Sequence, residues 1–530
     1  MSTPSENAST STIPSASAKN RGPAAAFSRN AAAGLVRLFV SSLVGLVLPA
    51  YLTRHLPVKT FSAWVLILQL SAYVSYLDFG VQTGVAKYVA EYEAKADREG
   101  AARCASAGFA ILLVAGLLGV LLTLILAWRV PQLFRDMPAF LYRDVRISVV
   151  LIGMSLSFGL ASSAFSGIFL GLQRYAVPMA IAVINRILFM TVVCSAAFLR
   201  SGLAAMGTAA AAVNVLTALL QIAAWRKLAH TIRVSLFWVD RNTLKQMLGY
   251  CLVLAVWSAS MLCISGLDVA IVAHYAFSET GFYSIATAPV NLIIAVLSAT
   301  LVPLIPAASA LSAQRTAVDM GRILSRVTRY TTLLLLLSGL PLLVGGYAVL
   351  RLWVGSVYAL HSVRYLRILV LANILRSLCA PYATLVVATG KQKVATAAAV
   401  SEGLVNLTVS LYLASHMGAI GVALGTLLGA LVSVSMHFVL SMHYTYKTLE
   451  ISRTHLLLRG ILRPSVIAVP SALLVPLWWS SAVASLNLQI WLTWALSTVL
   501  LLWFGSLTVE ERNHVRTLVR GQIKLLVASN

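Results

Sequence analysis

The sequence predicts an all-α integral membrane protein with about fourteen transmembrane helices. Hydrophobic residues make up 59% of the 530-residue chain and charged residues only 11%, far below the roughly 25% charged residues of soluble domains. From residue 31 to residue 508, apolar segments alternate with short basic loops. Each segment has about 20 residues, the length that crosses the ~30 Å hydrocarbon core. Because no loop is large enough for a soluble domain, the composition favours a transporter.

The chain divides into six parts by composition. A Ser/Thr/Ala/Pro-rich stretch at the start has no apolar core and no cleavage site, so it predicts a disordered tail and not a signal peptide. A basic stretch between the sixth and seventh helices separates two lobes. The predicted parts are a cytoplasmic tail (1–29), an N-lobe (30–226), a basic cytoplasmic linker (227–247), a C-lobe (248–445), helices thirteen and fourteen (446–508) and a cytoplasmic C-terminal tail (509–530).

Each predicted helix is an apolar run bounded by polar or basic residues. In the N-lobe these runs are 31–53, 61–86, 104–128, 147–171, 177–199 and 203–225. In the C-lobe they are 248–274, 281–306, 330–350, 365–389, 395–415 and 418–443, followed after a second basic stretch by 464–482 and 486–507. The longest connection on the outer side, 129–146, is too short to hold a catalytic domain.

The net charge of +24 would suggest a nucleic-acid partner in a soluble protein, but the positive-inside rule accounts for it here. With both termini in the cytoplasm, most of the 40 Lys and Arg fall in the tail and the cytoplasmic loops. The sequence therefore predicts a multi-pass protein of the bacterial inner membrane, with anionic lipid heads as partners and no nucleic acid. The five cysteines are scattered among apolar segments, so neither a metal nor a cofactor is expected.

The two groups of six helices resemble each other. The fourth helix ends in a basic elbow at 171–174, and the fifth then carries Asn185. The tenth ends in a similar elbow at 390–393, and the eleventh carries Asn406. Six is an even number, so both halves enter the membrane in the same direction. This pattern predicts two six-helix lobes in a parallel-repeat arrangement, with two further C-terminal helices.

Three motifs give the chain a family resemblance. They are Leu77-Asp78-Phe79-Gly80, Leu267-Asp268 followed by Gly281-Phe282-Tyr283-Ser284-Ile285-Ala286, and Leu352-Trp353-Val354-Gly355. In their order and spacing they resemble the polysaccharide flippases, the Wzx-type O-antigen translocases, of the multidrug/oligosaccharidyl-lipid/polysaccharide (MOP) exporter superfamily. The resemblance implies two lobes around a central lumen and a lipid-linked oligosaccharide as cargo, carried on undecaprenyl pyrophosphate. It also implies a polysaccharide polymerase and a chain-length regulator as candidate partners.

Apart from Arg367 at the start of the tenth, six charged residues lie within the predicted helices, where each costs about 2.5–3.5 kcal/mol at mid-membrane. We expect Arg37, Arg186 and Arg376 to bind a pyrophosphate in the lumen, because guanidinium groups pair with it bidentately. Asp268 and Glu402 are candidates for ion coupling. Asp78, near a predicted helix end, is expected to be structural. The alternative is that these charges pair with one another, for example Arg186 with Glu402.

The sequence is also compatible with other functions. A multidrug (MATE-type) cation exporter would share the fold, but acids without matching arginines are expected in its cavity. A lipid II flippase would use the same mechanism with a different head group. A membrane enzyme of polysaccharide assembly is disfavoured, because the sequence has no Asp-x-Asp motif and no phosphate-binding loop.

Overall fold

The computed structural model describes residues 23–302, 317–443, 453–468 and 488–507, with a few positions at 304–309 and 509–517. The described residues contain helices and turns and no strand. Among them, twelve helices are long and apolar enough to cross a membrane, which confirms an all-α, multi-pass membrane protein. The predicted thirteenth helix (464–482) lies mostly outside the described residues. The predicted fourteenth (486–507) corresponds to a helix at Leu488–Ser506.

The membrane spans are numbered in chain order, and a span interrupted by a break has two parts, a and b. The N-lobe helices are α1 (Pro23–His55), α2a (Val58–Ala72), α2b (Val81–Ala94), α3 (Arg98–Leu133), α4 (Tyr142–Gly171), α5 (Ala176–Phe198) and α6 (Gly202–Leu228). The C-lobe helices are α7a (Arg241–Met261), α7b (Asp268–Tyr275), α8 (Thr280–Leu301), α9 (Ala317–Val354), α10a (Ser356–Ser377), α10b (Ala380–Ala388), α11 (Gln392–Met417) and α12 (Ala419–Ser435). Helix α13 is Leu488–Ser506.

Two boundaries differ from the predicted parts of the chain. Helix α1 already includes Pro23, the first described residue of this region, so the part of the predicted disordered tail from residue 23 to residue 29 is helical. The connection between the lobes is 229–240 and is shorter than predicted, since α6 runs to Leu228 and α7a begins at Arg241. Asp240 sets that start: its carboxylate accepts from the backbone N–H groups of the next turn, at 2.8 and 2.9 Å.

The second span, predicted as one helix over 61–86, is broken in its middle, and Asp78 lies at the break. A short 3₁₀ turn, Tyr73–Asp78, separates α2a from α2b. Phe79 and Gly80 then both have positive φ, 47° and 74°, and this left-handed backbone stops the helix. Asp78 Oδ1 accepts from the backbone N–H of Gln82 at 3.4 Å, so Asp78 lies at the start of α2b. Its structural role remains a prediction.

The same helix pairs pack together in both lobes. In the N-lobe, α1 packs on α5, α2 on α4, α3 on α4, α4 on α6 and α5 on α6. In the C-lobe, α7 packs on α11, α8 on α10, α9 on α10, α10 on α12 and α11 on α12. Each pair recurs six helices later, so the two lobes are parallel repeats, as the matching elbows predicted.

Glycines allow the closest of these contacts, between α11 and α12. Gly421, Gly425 and Gly429 form a ridge on α12 at intervals of four residues. A Cβ on Gly425 would lie 2.1 Å from Oγ of Ser410, and one on Gly421 would lie 2.3 Å from the backbone carbon of Leu413. The two backbones therefore meet at a distance that only glycine permits.

The two lobes contact each other on both sides of the membrane: α7a packs on α2b and α3 on one side, and the larger contact lies on the other. We call this second side the Pro57 side, because the connection 56–57 between α1 and α2 lies there; the opposite side, with loop 172–175, is the Gln173 side. On the Pro57 side the backbone N–H of Gly281 donates to Ser62 Oγ at 3.1 Å, and the rings of Phe61 and Tyr358 lie edge to face at 5.7 Å. A buried apolar cluster spans both lobes around these contacts.

The C-terminal helix belongs to the C-lobe. Leu502 of α13 packs with Leu333 and Leu336 of α9. Beyond α13, the buried carboxylate of Glu511 pairs with Arg329 of the same helix α9. These contacts place α13 on the outer surface of the C-lobe.

Candidate functional site

A cavity of about 780 Å³ lies inside the N-lobe, between α1, α2a, α4, α5 and α6. Its wall includes residues of the apolar cluster that joins the lobes, among them Val44, Leu48 and Ile152. The polar residues of its wall are Arg37, Ser41, Ser75, Ser155, Ser162, Ser163, Asn185, Arg186, Asn214, Thr217 and Gln221. Among the described residues, two arginines and no carboxylate line this cavity, so this part of its wall is cationic.

Arg37 and Arg186 face the cavity from α1 and α5, and both side chains are exposed there. In the described part of the chain, neither has an acidic partner within 4 Å. The two guanidinium groups are close enough to repel each other electrostatically. Arg186 lies ten residues into α5, about 15 Å from its start and near mid-depth. An unneutralised cation at this depth is expensive, which makes the cavity a candidate functional site.

A row of hydrogen-bonding side chains covers another wall of the cavity. On α6, Asn214, Thr217 and Gln221 share one face because they are three and four residues apart. Asn185 Nδ2 donates to Thr217 Oγ1 at 2.7 Å, and Ser162 Oγ donates to Gln221 Oε1 at 2.7 Å. Each amide retains groups beyond these bonds that can donate or accept. The row can therefore bind hydroxyl groups.

This row was not among the predicted site residues. In the sequence, Asn185 stands out only as a sign of the internal repeat, and the three residues of α6 do not belong to any of the motifs. Their spacing within a segment of alanine, leucine and valine was the signal, because polar residues that repeat on one face of an apolar helix must meet a polar partner or water.

Arg376 and Glu402 lie apart from this cavity, in the C-lobe. Nε of Arg376, on α10a, forms an ion pair with Oε1 of Glu402, on α11. The Glu402 side chain is only 4% exposed and the Arg376 side chain 22% exposed. The hypothesis that Glu402 pairs with Arg186 is therefore wrong. Since α10 and α11 are neighbours while α5 belongs to the other lobe, Arg376 is the arginine within reach.

Asp268 is buried at the first residue of α7b, beyond the break in the seventh span. Tyr283 donates its hydroxyl to Oδ2 of Asp268 at 3.2 Å, and Thr426 donates to the same oxygen at 3.4 Å. Within the described ranges, no lysine or arginine nitrogen lies within 4 Å of this carboxylate. Two hydroxyl groups therefore hold Asp268 directly, and Arg376 is close enough to interact with it electrostatically.

The six predicted charges thus fall into three groups. Arg37 and Arg186 share the N-lobe cavity, Arg376 pairs with Glu402, and the two aspartates lie at the breaks in the second and seventh spans. No cluster of three or more metal-ligating side chains occurs in the part of the chain that the structure describes. The arrangement suits the binding of an anionic, hydroxyl-rich ligand in the N-lobe.

Comparison with known proteins identifies the fold. No protein-family model matches the chain, and no curated protein does. The lipid II flippase MurJ, in an inward closed conformation, is similar with a TM-score of 0.70 and 13% identity, over 90% of this chain and 98% of that one. An inward-facing multidrug resistance MATE transporter of the MOP superfamily is similar with a TM-score of 0.64 and 15% identity, over 79% and 99%.

A MOP superfamily transporter from Pyrococcus furiosus is also similar, with a TM-score of 0.59 and 17% identity, over 82% of this chain and 98% of that one. All three are membrane transporters or flippases, and each is covered almost completely. The chain therefore has the fold shared by transporters of the MOP superfamily.

Proposed function

We propose that this protein flips undecaprenyl-pyrophosphate-linked oligosaccharide units across the bacterial inner membrane by alternating access, for the synthesis of a surface polysaccharide. The observation that carries the proposal is the N-lobe cavity, with Arg37 and Arg186 in its wall and no carboxylate beside them. In this proposal the Gln173 side is cytoplasmic and the cargo leaves on the Pro57 side. Both termini are then cytoplasmic.

The chemistry of the cavity fits the head group of such a cargo. A pyrophosphate needs cations, and a guanidinium binds it with two parallel hydrogen bonds and does not lose its charge near neutral pH. Sugar hydroxyl groups that leave water cost several kcal/mol each unless they find hydrogen bonds. The amides of Asn185, Asn214 and Gln221 offer those bonds in the same cavity.

The rival functions fit less well. Two unneutralised arginines would repel a cationic drug, so the cavity disfavours a cation exporter. The transporter fold gives no support to an enzyme of polysaccharide assembly. A lipid II flippase would need the same cationic cavity, and the similarity to MurJ supports its fold equally. A deletion strain distinguishes a lipid II flippase from the proposed function by its cellular effect.

For the C-lobe, we propose that Asp268 is the residue that couples transport to an ion. Its carboxylate is buried against two hydroxyl groups and has no described cation within 4 Å. Glu402, the other candidate, already pairs with Arg376, so we propose a structural role for this pair. A polysaccharide polymerase and a chain-length regulator would act next on the cargo.

A deletion strain tests the function. Cells without the protein should lose the surface polysaccharide and accumulate the complete, undecaprenyl-linked unit on the inner leaflet. Loss of an enzyme would leave a truncated unit, and loss of a lipid II flippase would stop cell-wall synthesis. Loss of a cation exporter would raise sensitivity to ethidium and leave the polysaccharide unchanged. Intact surface polysaccharide, with no second flippase in the genome, would refute the proposal.

A further inference from the structure

A second cavity, of about 490 Å³, forms a groove between α5 and α6. We call it the α5–α6 groove. Residues 176–184 of α5 and 220–228 of α6 line it, and all of the lining side chains are apolar except Lys227. None of its lining residues lines the N-lobe cavity.

The groove opens on the outer surface of the N-lobe. On α5, Ile184 lines the groove and Arg186 lines the inner cavity. Each residue of an α-helix is rotated by about 100° from the one before it. Side chains two positions apart therefore point in nearly opposite directions. The same holds on α6, where Ala223 lines the groove and Gln221 the cavity. The two helices therefore separate the cavity from the groove, which faces the lipid.

Cations stand at the Gln173 end of the groove. Lys227 lies one residue before the end of α6, and its side chain is exposed. Arg174, in the loop before α5, donates from Nη1 to the backbone oxygen of Leu228 at 2.5 Å. A second cation, the Arg174 guanidinium, thus lies beside Leu228, which also lines the groove. No acidic side chain is among the lining residues.

From this arrangement we propose that the α5–α6 groove binds one anionic glycerophospholipid of the surrounding leaflet. One acyl chain lies along the apolar groove, and the phosphate lies at the membrane interface, where Lys227 and Arg174 bind it. The groove extends about 12 Å from the helix ends toward mid-membrane, the depth that an acyl chain occupies below its head group. The tail of the cargo is a poorer occupant, because its head group would lie across α5 and α6 in the inner cavity.

Native mass spectrometry of the purified full-length protein tests the site, with dioleoylphosphatidylglycerol as the probe. Lys227→Gln should weaken binding about fivefold, equivalent to about 1 kcal/mol for one lysine near a lipid phosphate. Ala223→Trp, which fills the groove from an exposed position, should abolish binding. Arg226→Gln is the matched control, since Arg226 is exposed beside Lys227 and does not line the groove. It should bind like the unaltered protein.

Several results would overturn the proposal. Equal weakening by Arg226→Gln and Lys227→Gln would mean diffuse electrostatic attraction without a site. Unchanged binding in Ala223→Trp, with an unchanged melting temperature, would place the lipid elsewhere. Equal binding of dioleoylphosphatidylcholine, which is zwitterionic, would mean that Lys227 and Arg174 do not select an anionic lipid. If the protein bound undecaprenyl phosphate but not phosphatidylglycerol, the groove would be a site for a polyprenyl chain instead. None of these results depends on whether the protein exports a polysaccharide.

Discussion

A disulfide between Ser62→Cys and Gly281→Cys should lock the two lobes together on the Pro57 side. A Cβ on Gly281 would lie 2.8 Å from Ser62 Oγ. One further single bond of about 1.5 Å places the two Cβ atoms at most about 4.3 Å apart. A disulfide holds its Cβ atoms about 3.5–4.5 Å apart, so the doubly substituted protein should cross-link under mild oxidation without movement of the backbone.

The lock should stop transport, because alternating access requires the contact between α2a and α8 to open. A protease site in the 229–240 connection makes the cross-link visible, since the two lobes stay joined after cleavage only when the disulfide is present. Polysaccharide export should fall to background in oxidised cells and recover in dithiothreitol. Each single cysteine variant is a control for mispairing with the five native cysteines, three of which are buried. Full cross-linking with undiminished export would refute alternating access at this contact.

Four other substitutions test the remaining assignments. Arg186→Ala should lower transport at least tenfold, and Arg186→Lys should lower it less. Both variants should reach the membrane in normal amounts, because no acid neutralises this side chain in the described structure. Loss of the protein from the membrane would contradict a binding role. Arg376→Ala should destabilise the fold by about 3–5 kcal/mol, since it leaves the buried Glu402 carboxylate unpaired. If the two residues are partners, adding Glu402→Gln should restore the melting temperature. Gly425→Leu should prevent stable folding, because even a Cβ would lie 2.1 Å from a side-chain oxygen of α11. Size-exclusion chromatography tests this, and a monodisperse, stable variant would be evidence against the packing of α12 on α11. Phe237→Cys, at a position 98% exposed, should react with an impermeant maleimide in inverted vesicles only, and labelling in intact cells would reverse the proposed orientation.

Hydropathy predicted the membrane spans well because length and apolarity decide whether a helix crosses a bilayer. The fifth helix was predicted at 177–199 and lies at Ala176–Phe198. Hydropathy could not predict the break at Gly80, because it carries no information on φ. Nor could it choose the partner of Glu402, since several arginines lie at compatible depths and only the packing of α10 on α11 selects Arg376. The cationic wall of the cavity needed the fold as well, because Arg37 and Arg186 are far apart in sequence.

The break between α7a and α7b has a mechanical consequence. Its backbone carbonyls, left free by the π turn at Leu262–Gly266, accept hydrogen bonds from both lobes. Gln69 of the N-lobe donates to Gly266 O at 2.5 Å, and Asn406 of the C-lobe donates to Ile264 O. A rotation that separates the lobes must therefore stretch or release one of these two bonds. The strain would reach Asp268, two residues beyond Gly266. Ion binding at that carboxylate and rotation of the lobes would then be coupled, so that each changes the free energy of the other.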